Sequence, residues 1–159
     1  MKTVLAFAIA ATLAVPAVAS AQGDPIMALS QVQRGMQCTA LSVIHGTDIS
    51  SFDTEVLDVI TGDAADDARI LIRVSGPAVD ETGIGPGFSG SPIYCPDGDG
   101  VSRVIGAISE GIGEYGNKVA LATPIEQMLG EPFEPPAAAR HDRALLRGGS
   151  PRRPARSRR

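Results

Sequence analysis

From Met36 to Ala122 the apolar residues come in short runs rich in Val, Ile, Leu and Thr, and each run ends in a cluster of Gly, Pro, Asp or Asn. Runs of that length and composition, cut off by turn-forming residues, are strand signals. Strands are expected at Met36–Ile44, Phe52–Val59, Ala68–Val74, Pro92–Cys95, Arg103–Ser109 and Lys118–Ala122. The alternation in Ala68–Val74 puts Arg69 and Arg73 on one face. Turns are expected at Gly46-Thr47-Asp48, Pro96–Gly100 and Gly111–Gly116, where glycine and the side-chain hydrogen bonding of Asp suit tight reversals. Thr123-Pro124-Ile125-Glu126 then reads as a helix start, with Thr123 as N-cap, Pro124 at the first helical position and Glu126 closing a capping box. Six strands followed by one short helix fit an all-β barrel or sandwich better than an alternating α/β architecture.

The ends of the chain differ from this body. Lys2, the apolar run Val4–Val15 and Ala19-Ser20-Ala21 form the cationic, apolar and small-residue regions of a cleavable signal peptide, residues 1–21. A mature chain starting near Gln22 is expected, exported to the cell envelope or beyond. The apolar run is shorter than the roughly 20 residues needed to span a bilayer, so stable membrane insertion is not expected. Residues 22–130 are the size of one small domain, and with no Trp and few aromatics its core must come from Val, Ile, Leu and Ala. Beyond Glu131, Pro, Ala and Arg without apolar periodicity lead to the expectation of a disordered basic tail over 131–159. Such a tail suits an anionic partner, the acidic body itself, or a sequence with no native role.

The formal net charge of −4 conceals a split. Between Gln22 and Ala139 seventeen acidic residues stand against only Arg34, Arg69, Arg73, Arg103 and Lys118. A body of that sign repels nucleic acid and anionic lipid, so no nucleic-acid partner is expected. Cys38 and Cys95 are the only cysteines, and in an exported chain the pair is expected to form a disulfide. Closing that loop is worth about 4 kcal/mol on the chain-entropy model. No Cys/His cluster has metal-ligand spacing, and neither metal nor cofactor is expected.

Chemistry concentrates in Gly87-Phe88-Ser89-Gly90-Ser91-Pro92, which follows a Gly- and Pro-dense loop starting at Ser75 and precedes a strand. A nucleophilic serine needs an exposed hydroxyl on a tight turn and backbone amides aimed at the developing oxyanion. Gly87 and Gly90 allow both, which makes Ser89 the candidate nucleophile and the amides of Gly87 and Ser89 the candidate oxyanion hole. Phe88 and the Gly111–Gly116 turn are placed to border a substrate cleft. His45 is the candidate base, since it is the only histidine before the tail. Asp53, Asp58 and Asp80 are candidate carboxylates to orient it, with nothing in the sequence to choose among them.

Seven blocks carry a family resemblance: Leu29–Met36; Gly46-Thr47 with Phe52–Leu57; Val74–Pro77; Thr82-Gly83; Gly87–Pro92; Ile105–Ile108; and Thr123–Leu129. In this order and spacing the stretch Met27–Leu129 resembles the SpoIVB-type serine peptidase domain (Peptidase_S55). The resemblance implies a chymotrypsin-like β-barrel with one short C-terminal helix, a Ser/His/Asp endopeptidase acting on peptide or protein substrates, and Ser89 as its nucleophile. Two positions depart from the family pattern. The acid upstream of the Thr-Gly block reads Ser75, and the Gly-His block that supplies the family's histidine is missing. Three outcomes stay open: a secreted endopeptidase, a catalytically inactive peptidase-like binding module, and a truncated homologue of a two-barrel fold. Oligomeric state is not legible.

Overall fold

The computed structural model describes residues 26–64, 67–114 and 116–146. The expected signal peptide, and the end of the chain beyond Leu146, lie outside these residues. Six strands form the body: β1 (Gln37–His45), β2 (Asp48–Thr61), β3 (Ala68–Ser75), β4 (Pro92–Pro96), β5 (Ser102–Gly111) and β6 (Val119–Pro124). Each pairs antiparallel with two neighbours, in the order β1-β4-β5-β6-β3-β2, and β2 pairs back onto β1. The sheet is therefore a closed barrel with no open edge in its main circuit.

Local sequence explains the corners. Gly46-Thr47 joins β1 to β2 with Gly46 at φ +59°, the conformation a two-residue hairpin asks of its first central residue. β2 is longer than expected and serves two partners. Its first half runs along β1 and its second half along β3, with a register shift between Val56 and Asp58 that bends the strand. In the β4–β5 turn the Asp97 carboxylate accepts from the amides of Asp99 and Val101 and pairs with Arg103. The Arg103 guanidinium, then these amides, hold the Asp97 carboxyl below the usual carboxylate range.

The barrel interior is aliphatic, as the composition requires. Ile70, Ile72 and Val74 of β3 pack with Ile93 of β4, Ile105 of β5 and Ala122 of β6. Arg73 points outward to Glu55 at 3.1 Å. Cys38 and Cys95 are buried and joined by a disulfide between β1 and β4, one residue beyond the Thr39–Tyr94 pair. Met27, Leu29 and Val32 are fully buried at one end, in a segment that includes the 3-10 turn Leu29–Gln31.

Two expectations need correction. Thr123 does not cap the terminal helix α1 (Ile125–Leu129): Pro124 is its N-cap, with extended backbone and no side-chain cap bond. Glu126 closes no capping box. Its carboxylate instead accepts from the Leu29 amide at 2.6 Å and ties the N-terminal segment to the helix. A carboxylate with a long-range donor has no need of the local one. The second concerns residues 131–146, expected to belong to a disordered tail. There β7 (Arg140–His141) pairs parallel with the end of β2, and α2 (Arg143–Leu146) follows. Leu145 and Leu146 pack over an outer cluster of Ile60, Leu71 and Leu121. The apolar surface that makes this burial worthwhile lies on the barrel, so the tail's own composition could not announce it.

One closed six-stranded barrel, with the Gly87–Pro92 loop between its third and fourth strands and a helix after its sixth, is a chymotrypsin-like barrel. Its strands approach so closely at Gly106 that a Cβ there meets the Thr123 carbonyl of β6, backbone that cannot give way. Gly98, in the β4–β5 turn, faces open space. Gly106→Ala is expected to cost about 1–3 kcal/mol in urea unfolding and Gly98→Ala less than about 0.5 kcal/mol; equal losses would contradict the packing described.

Candidate functional site

The segment from Gly76 to Phe88 is folded down onto the barrel by its own apolar residues. Val79 and Ile84 are buried, and the Ile84 amide donates to the Asn117 carbonyl at 2.8 Å. Gly83 lies against Gly116, where no side chain would fit. Lys118 bridges to Asp80 at 2.6 Å and, as the main cause, holds the Asp80 carboxyl below its ordinary range.

The candidate nucleophile loop is fixed at both flanks. Phe88 packs edge-on against Phe52, with ring centroids 5.9 Å apart. Its carbonyl accepts from the Ser91 amide at 3.0 Å. The Gly90 amide donates to the Ile108 carbonyl at 2.8 Å, and the Ile108 amide donates back to Ser91 at 3.0 Å, so the loop is stitched onto β5. Ser91 is buried and its hydroxyl donates to the Ser42 hydroxyl of β1 at 2.9 Å. Between these anchors Ser89 stands exposed. Gly87 and Gly90 hold φ of +103° and +91°, which a residue with a side chain adopts only under strain.

The backbone donors of this loop divide in two. Phe88, Gly90 and Ser91 donate to carbonyls, whereas the amides of Gly87 and Ser89 have no hydrogen-bond partner among the described residues. These are the two amides that the sequence assigns to an oxyanion hole. Gly87 and Ser89 are both exposed, so these donors are open to solvent and to an acceptor from outside the fold.

Ser89 borders two clefts. One, of about 380 Å³, has Gly85–Ser89 as one wall and the end of β5 with Gly113, Glu114 and Asn117 as the other. Phe88 and the Gly111 turn do border it, as expected. The other, of about 440 Å³, lies between the loop and the β1–β2 hairpin, where Leu41, Val43 and Ile49 meet Ser89 and Tyr94. Val43 and Ile49 are exposed there at 54% and 73%.

His45 is exposed at the tip of that hairpin, two residues beyond Val43. Among the described residues its imidazole makes no hydrogen bond or ion pair, and Ser89 Oγ likewise has no partner. None of the candidate orienting carboxylates bonds to His45. Asp58 faces Arg140 at 3.7 Å and Arg34 at 3.9 Å, Asp80 holds Lys118, and Asp53 lies beside Gly76. Ser75, at the family's acid position, ends β3 opposite Asp53. The geometry thus assembles the serine and its two amides but no base–acid relay upon them. Glu110 and Glu114 went unnoticed in the sequence; their signal is that they flank the Gly111 turn expected to edge the cleft. Among the described residues no group of His, Cys, Asp and Glu is arranged to hold a metal ion.

No family model and no curated protein matches the chain, so the SpoIVB resemblance rests on the sequence blocks alone. Four solved chains match its structure. One is the crystal structure of a serine-to-alanine mutant of Rv3671c from M. tuberculosis H37Rv, in an inactive form. It is 16% identical with a TM-score of 0.47, and the match covers 72% of this chain and 54% of that one. The chain thus spans about half the length of that structure.

Proposed function

We propose that the chain is an exported serine endopeptidase-type domain that takes a peptide carbonyl at Gly87 and Ser89 and cleaves through Ser89. The observation that carries this is the pair of unpartnered amides beside an exposed serine, in a loop whose other amides are all engaged. Ser89 Oγ attacks the carbonyl carbon, and the hydroxyl proton passes to His45. The two amides then donate to the oxyanion of the tetrahedral intermediate. Collapse expels the amine, which leaves with the proton from His45, and water repeats the sequence to release the acid and restore Ser89. His45 enters by closure of the β1–β2 hairpin over the cleft that Val43 shares with Ser89, the kind of tightening that free enzymes undergo on binding substrate. The leader at residues 1–21 supports export.

A second reading, a peptide-binding module without hydrolysis, is favoured by one observation: Ser89 Oγ has no hydrogen-bonded base, and a serine without one is a weak nucleophile. Covalent labelling decides between them. Wild type is expected to take up one equivalent of a small alkyl fluorophosphonate and Ser89→Ala none, with His45→Ala slower by about 100-fold or more. Folded wild type that takes no label contradicts hydrolysis and leaves the binding module.

A further inference from the structure

The cleft on the Gly85–Ser89 side carries a charge pattern that selects what enters it. Ile84 and Ile108 are its buried apolar lining and Phe88 is half-buried beside them. Among the described residues the charged ones along it are Glu110 and Glu114, both exposed and neither paired with a cation of those residues. Lys118, the nearest base in sequence, is spent on Asp80 outside the cleft. The unpartnered amides of Gly87 and Ser89 sit at the same mouth.

These features together describe a long side chain with an apolar stem and a cationic head, attached to a backbone carbonyl. We propose that the cleft is a specificity pocket for a lysine or arginine side chain of an extended peptide. The methylene stem lies along Ile84, Phe88 and Ile108, the head meets Glu110 and Glu114, and the carbonyl of the same residue accepts from Gly87 and Ser89. Long cationic side chains bury their stems and keep the head at the rim in this way. An acidic side chain is repelled from the same rim, and an aliphatic one gains the apolar wall but leaves both carboxylates unpaired. The seventeen acidic residues of the body add long-range attraction for cationic peptides, which quickens their encounter.

This inference rests on the peptidase-type site proposed above, but its test does not need catalysis. Ser89→Ala removes turnover at the loss of one hydroxyl from the cleft wall and keeps the amide at that position and both glutamates. Calorimetric titration of that variant with N-acetyl tripeptide amides ending in arginine or leucine reads selectivity alone. The arginine peptide is expected to bind about tenfold or more tighter, the scale of one or two charge-assisted contacts. Adding Glu110→Gln and Glu114→Gln is expected to bring its affinity down to that of the leucine peptide, with the leucine peptide unchanged. Equal affinities in the parent, no binding of either peptide, or a preference that survives both glutamine substitutions overturns the inference. Failure of wild type to take a fluorophosphonate removes hydrolysis but leaves a measured arginine preference standing, so the two proposals fail separately.

Discussion

Closure of the barrel by β1 is the constraint on which the site depends. This strand pairs along its length with β2 and, across the gap, with β4 at Thr39–Tyr94 and Ala40–Ile93. The buried Cys38–Cys95 bond locks the same junction and spans 57 residues of sequence. On the chain-entropy model such a link is worth about 4 kcal/mol. Because β4 begins one residue after Ser91, fixing β4 against β1 also fixes the loop in front of it. The bond from Ser91 to Ser42 continues the junction into the loop itself. An open sheet with the same strands would hold this loop on its β5 side alone.

Within that frame, glycine geometry shapes the loop that is proposed to bind the substrate carbonyl. The amides of Phe88, Gly90 and Ser91 turn toward neighbouring carbonyls. Gly87 and Gly90 hold positive φ, and the donors of Gly87 and Ser89 are left without a partner among the described residues. The loop that carries them is fixed on folding, before any ligand arrives. This is the sense in which an oxyanion site is preorganised.

Most of the barrel was legible because its causes are local. Each of the six strands lies where a β-branched run meets a turn signal, and the Gly46 and Asp97 reversals follow from residues within the turns themselves. What the sequence concealed depends on surfaces that meet only after folding. The extension of β2 needs β1 beside its start and β3 beside its end, Glu126 leaves its local cap for Leu29, and Leu145 and Leu146 find an apolar cluster made by three separate strands. The site divides the same way. The exposure of Ser89 and the unpartnered amides beside it are six consecutive residues' work; the isolation of the His45 imidazole, the engagement of Asp58 and Asp80, and the meeting of Glu110 and Glu114 at one cleft are properties of the closed barrel.

The central claim is that the amides of Gly87 and Ser89 form a ready carbonyl-binding pair, and a crystal structure of the protein inactivated by a peptidyl phosphonate tests it most directly. The account predicts the phosphonyl carried on Ser89 Oγ, with one phosphonyl oxygen about 2.7–3.1 Å from both amide nitrogens and the Phe88, Gly90 and Ser91 hydrogen bonds unchanged. A phosphonyl oxygen turned to solvent, or a loop that must break those three bonds to receive it, would contradict the account.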